Sequence, residues 1–106
     1  MAARIQIPNE LKRGEIFEVR LVIQHPMETG FRFDDVGSRI PRNVITALEC
    51  RYNGVEVFSA SLSSGISANP YLQFSTRAMD SGELVLSWVD DLGERGTERV
   101  AFSVSG

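Results

Sequence analysis

The sequence predicts an all-β protein, a sandwich of about seven antiparallel strands, and three observations carry that prediction. Short runs of alternating polarity recur along the chain, turn residues separate them, and no segment keeps a helical period. At 106 residues the chain reads as one domain, 1–106, long enough for one hydrophobic core and too short for two. Seven short strands in about a hundred residues make an immunoglobulin-like β-sandwich the natural architecture.

The expected strands are 3–8, 15–25, 43–52, 55–62, 71–78, 83–89 and 98–104. The second is the clearest. Phe17, Val19, Leu21 and Ile23 share one parity while Glu18, Arg20 and Gln24 take the other, so one face is buried and the other wet. In the third, Val44, Leu48, Cys50 and Tyr52 share a face opposite Glu49 and Arg51. Asn53-Gly54 then supplies a type I′ hairpin turn, which needs positive φ at both central residues. Leu72, Phe74 and Thr76 alternate more weakly; Leu84, Leu86 and Trp88 alternate cleanly, as do Val100, Phe102 and Val104. If consecutive strands reverse direction, connections 26–42, 63–70 and 90–97 gather at one end, and loops on a rigid scaffold are where binding usually resides.

Composition narrows the function classes. A net charge of −3 with scattered basic residues lacks the clustered positive face that nucleic acid requires. No stretch approaches the ~20 apolar residues of a membrane-spanning helix. The first residues show no apolar signal-peptide core, and Cys50, the single cysteine, has no intramolecular partner for a disulfide.

Candidate chemistry is sparse. His25, the sole histidine, lacks the companions that a zinc site draws on, and is read as ending its strand and ordering the next loop. Cys50 admits two readings, an inert core thiol by its parity with Leu48 and Tyr52, or a sulfur-carrying nucleophile. Asp34-Asp35 and Asp90-Asp91 could hold a hard cation but match no spaced calcium loop, and adjacent aspartates are common turn formers. No phosphate loop, nucleophile elbow or metalloprotease motif occurs, so catalysis, cofactor and metal are not expected.

The connection from His25 to Arg42 stands apart. His25-Pro26-Met27-Glu28-Thr29-Gly30 opens it, Phe31-Arg32-Phe33 follows, and Ile40-Pro41 closes it. It is longer than most ordered connections and rich in the aromatic and arginine side chains that interfaces favour. The alternative is a structural loop folded over the sandwich mouth.

His25-Pro26-Met27-Glu28-Thr29-Gly30, Arg32 and Ile40-Pro41 resemble the signature loop of the SoxZ family. Further likeness lies in Asn53-Gly54, in Ser67 with Asn69-Pro70-Tyr71-Leu72 and Phe74, and in Trp88, Asp90 and Gly93. The resemblance implies a non-catalytic scaffold subunit that pairs with a SoxY-type subunit, whose C-terminal cysteine arm carries covalently bound sulfur during thiosulfate oxidation. It further implies transient contacts with other enzymes of that pathway in the periplasm, reached by export together with the partner. The expected recognition residues are His25, Pro26, Met27, Glu28, Thr29, Gly30, Arg32, Asn69, Pro70 and Tyr71. Ala68 departs from the family, which often carries lysine there, and Cys50 lies outside its motif. Other readings are a stand-alone carrier using Cys50 and a generic immunoglobulin-like binding module. In isolation the chain is expected to hide its apolar patch in a homodimer.

Overall fold

In the computed structural model, which describes residues 2–106, alternation of side chains builds two facing sheets. One sheet has the order β1 (Ala3–Gln6), β3 (Ile16–Ile23), β6 (Tyr71–Arg77), all antiparallel. The other has the order β5 (Val55–Ser61), β4 (Ile45–Tyr52), β7 (Gly82–Asp90), β8 (Arg95–Phe102), again antiparallel. Their inner faces supply the core: Val19, Leu21 and Ile23 on one side, Leu48, Cys50, Leu84 and Leu86 on the other. Among the described residues no helix is long and apolar enough to cross a membrane.

The seven expected strands are present, with two differences. The last begins at Arg95, so the connection expected over 90–97 is a tight turn at 91–94. A pair of two-residue strands, β2 (Leu11–Lys12) and β9 (Val104–Ser105), was not foreseen, and it runs parallel. Two residues cannot show a period, so such a pairing leaves no trace in polarity alone. The hairpin turn behaves as its sequence requires, with φ of 47° at Asn53 and 85° at Gly54. In β4 a bulge at Thr46 lets Val44 and Ile45 both point inward despite their adjacency.

Trp88 is 3 % exposed and lies across its cross-strand partner Gly96. A Cβ on Gly96 would come within 2.2 Å of the indole ring, so only glycine lets the ring lie flat there. Trp88→Ala is expected to cost about 3–5 kcal/mol in urea unfolding, through lost burial and the cavity left behind. Gly96→Ala, which removes nothing, should still cost about 1–3 kcal/mol by overpacking. A neutral Gly96→Ala variant would show that the ring is free to move aside.

Candidate functional site: an arm pinned at the end of the sandwich

The chain leaves β3 at Ile23 and re-enters the fold at Ile45, and much of the intervening connection is a narrow projecting ribbon. Glu28 and Asn43 exchange backbone hydrogen bonds of 2.8 and 2.9 Å at its base. Further out Ile40 N–H donates to Arg32 O and Asp34 N–H to Ser38 O, each at 2.8 Å. Asp34 Oδ1 accepts from the N–H groups of Val36 and Ser38 and closes the tip. The molecule measures 61 × 19 × 19 Å. Its longest strand has nine residues and spans about 30 Å, so roughly half the length lies in the end connections.

A water-washed two-stranded ribbon is marginal by itself. This one is bolted at the root by His25, which is 2 % exposed although polar. His25 Nδ1 accepts the N–H of Met27 at 2.9 Å, which places the ring proton on Nε2, and Nε2–H donates to Asp90 Oδ2 at 3.1 Å. Asp90 Oδ1 accepts the N–H groups of Leu92 and Glu94, at 3.0 and 2.9 Å, so the same carboxylate shapes the β7–β8 turn. Burial pushes the Asp90 carboxyl up, but the hydrogen bonds from His25, Glu94 and Leu92 together outweigh it and hold it below the ordinary carboxylate value.

The neighbouring bolts use the same two loops. Asp91 Oδ2 accepts Arg42 Nε–H and Val44 N–H at 3.0 Å each, tying the returning strand of the arm to the turn. Met27 has φ of 51°, a left-handed conformation that costs a non-glycine residue about 1–2 kcal/mol. Its buried side chain and its sulfur, which accepts Ile45 N–H at 3.3 Å, hold it there. Gly30, with φ of 89°, lies against Arg42, whose Cβ would be 3.1 Å from an added Cβ.

The structure divides the residues expected from the sequence into three groups. His25, Met27 and Pro70 are buried and act as anchors. Asn69, at φ of 52°, receives His25 N–H on Oδ1 and donates its own N–H to His25 O, so the 62–70 connection is locked to the arm's root. Glu28 and Arg32 form a forked ion pair along the arm, and that pairing holds the Glu28 carboxyl below its ordinary value. Pro26 is exposed, Thr29 Oγ1 accepts Phe31 N–H, and Tyr71 is an exposed residue at the start of β6. The exposed apolar side chains of the arm are Phe31, Phe33 and Val36, exposed by 75, 60 and 84 %, with Arg39 over the Phe33 ring at 5.7 Å. Val36 and the exposed Leu92 escaped the sequence reading, because lone apolar residues in loops carry no period.

Cys50 is fully buried, and burial pushes its thiol up to about 11, so it is a core residue and not a presented nucleophile. Asp34 caps the arm's tip, Asp90 pairs with His25 and Asp91 with Arg42, and among the described residues no three His, Cys, Asp or Glu side chains converge as metal ligands. A hollow of about 670 Å³ on the outer face of the four-stranded sheet is lined by small side chains such as Ala47, Ser59, Ser61 and Ser87.

Asp90→Asn should cost about 1.5–3 kcal/mol at neutral pH, the worth of a hydrogen bond to a charged acceptor. Because the folded-state pKa of Asp90 is lowered, its contribution is full above the unfolded value of ~3.9 and is lost as pH falls through the folded one. The gap in urea midpoint between wild type and variant should therefore close below about pH 4. A constant gap down to pH 2 would mean that the carboxylate charge is not what anchors the arm.

The comparisons agree with this geometry. Solved structures share the fold. Superoxide reductase (neelaredoxin) from Ignicoccus hospitalis superposes with a TM-score of 0.75 at 20 % identity, over 99 % of this chain and 81 % of that one. The sulfur carrier protein SoxY from Chlorobium limicola f thiosulfatophilum does so with a TM-score of 0.68 at 14 % identity, over 99 % and 80 %. At those identities the likeness is one of fold. No curated protein sequence matches the chain. The profile of the family described as sulphur oxidation protein SoxZ matches residues 5–101, nearly the whole sandwich together with the arm and its bolts, and the chain belongs to the SoxZ family, a component of the Sox sulfur-oxidation system.

Proposed function

We propose that this chain is the non-catalytic scaffold and docking subunit of a sulfur-carrier complex. It pairs with a SoxY-type subunit whose cysteine arm holds sulfur intermediates of thiosulfate oxidation, and it works in the periplasm after export with that partner. The observation that carries this reading is the pinned arm with its three exposed apolar side chains at the tip, on a chain whose own thiol is buried. A carrier must present its cargo to several enzymes in turn, and that calls for a rigid platform with a defined contact point. Phe31 and Phe33 offer aromatic anchors, and the bolts at His25, Asp91 and Met27 limit the ordering cost of docking.

Co-expression with the SoxY-type subunit should yield one co-eluting species in size exclusion, and separate elution of two well-folded chains would sink the proposal. The double variant Phe31→Ala/Phe33→Ala should weaken binding of the assembled complex to immobilised enzymes of the pathway by about tenfold or more. Its melting temperature should stay near wild type, because neither ring is buried. Met27→Ala should act differently, by loosening the arm and lowering stability. Undiminished binding of the double-alanine variant would reduce the arm to a structural loop.

A further inference from the structure

Charge is spread unevenly over the molecule. Beyond the root of the arm, residues 29–42 hold three arginines and two aspartates, a small positive excess on a chain whose net charge is −3. Two of those arginines are already neutralised, Arg32 by Glu28 of the arm and Arg42 by Asp91 of the β7–β8 turn. Arg39 is different. Among the described residues it has no ion-pair partner, and its guanidinium lies over the Phe33 ring. The backbone explains that stacking. Ile40 N–H to Arg32 O and Asp34 N–H to Ser38 O flank Phe33 and Arg39 on either side. The two are therefore a non-hydrogen-bonded antiparallel pair, the kind whose side chains lie closest together on one face. Alternation adds the exposed Phe31 to that face and turns Arg32 to the other. Asp34 is occupied by the N–H groups of the tip.

We propose that the Phe31, Phe33 and Arg39 face of the arm recognises an acidic site on the enzymes the carrier visits, an apolar depression edged by a carboxylate that pairs with Arg39. This rests on the reading of the arm as the docking element and adds the chemistry of what it docks on. A guanidinium stacked on a ring keeps its planar fork of N–H donors free, and that fork matches a carboxylate. The stack also holds the long side chain in place before contact, so less freedom is lost on binding. Aromatic rings beside an arginine are the combination that dominates interface energetics. The negative body does not cancel this charge. Four residues of ribbon separate Arg39 from Asn43 at the root, about 13 Å, which exceeds the ~8 Å screening length at physiological salt. Like charge on a partner would meet an unpaired cation on the docking face, so basic surfaces are rejected.

Binding of the assembled complex to the immobilised pathway enzymes should weaken as sodium chloride rises from about 20 to 500 mM. Arg39→Gln should raise the dissociation constant about fivefold to tenfold and flatten that salt dependence, and Arg39→Glu should raise it further. Arg39→Lys keeps the charge and should retain most of the affinity. The side chain is exposed, so the melting temperature of each variant should stay near wild type. Arg39→Lys also supplies a primary amine. Carbodiimide coupling should join it to an Asp or Glu of the bound enzyme, read by peptide mass spectrometry, with the natural lysine, Lys12 on β2, as internal control. If Phe31→Ala/Phe33→Ala weakens binding while every Arg39 variant binds like wild type, the arm docks on a surface that is not acidic, and this proposal alone fails. If neither the ring nor the Arg39 variants change binding, the docking role itself fails. Tighter binding by Arg39→Glu would overturn the proposal by assigning a basic partner surface. Loss of assembly with the SoxY-type subunit in the Arg39 variants would overturn it too, since the face then belongs to that subunit.

Discussion

The hydrogen bond between His25 and Asp90 joins the parts of this molecule that would otherwise be independent. His25 lies two residues past the end of β3 in the three-stranded sheet and Asp90 ends β7 in the four-stranded sheet, so the bond ties the two layers together at the end where the arm departs. Both side chains are withdrawn from water, which makes the pairing obligatory, because without it His25 Nε2–H and Asp90 Oδ2 would each be a buried polar atom without a partner. Each also serves a second loop: His25 receives Met27 N–H and starts the arm, and Asp90 receives Leu92 and Glu94 N–H and shapes the turn. The left-handed backbone at Met27 is tolerated only because this framework over-determines it.

From that constraint the division of labour follows. The core is apolar and holds the single thiol out of reach, while the polar groups able to hydrogen-bond strongly are spent on fastening loops. The large apolar side chains that remain exposed on the arm are Phe31, Phe33 and Val36. The fold is shared with superoxide reductases and with a sulfur carrier protein, and a shared scaffold does not by itself fix function, which lives in the sites grafted on it.

Much of the fold was legible from alternation, including the burial of Leu84, Leu86 and Trp88. The anchors were legible too, to a closer reading of parity. His25 continues the odd-numbered buried series of Phe17, Val19, Leu21 and Ile23, and Asp90 continues the even-numbered series of Leu84, Leu86 and Trp88. A histidine and an aspartate on facing buried series, just past the last apolar residue of each, need each other. Asp90 was instead read with Asp91 as a turn or cation pair, because adjacency in the chain hides that one faces inward to His25 and the other to Arg42.

What the sequence by itself determined is therefore local and periodic: strand parity, the Asn53-Gly54 turn, the family-specific string at the root of the arm and the end of the sandwich from which it departs. What only the tertiary structure decided is which loop residues are fasteners and which are left exposed. Met27 is inside and Phe31 outside, though both are apolar residues of one short segment. Likewise the parallel β2–β9 pair depends on two strands meeting from opposite ends of the chain. Periodicity records which face of a strand is buried; it carries no information about which neighbour an edge or a loop will find.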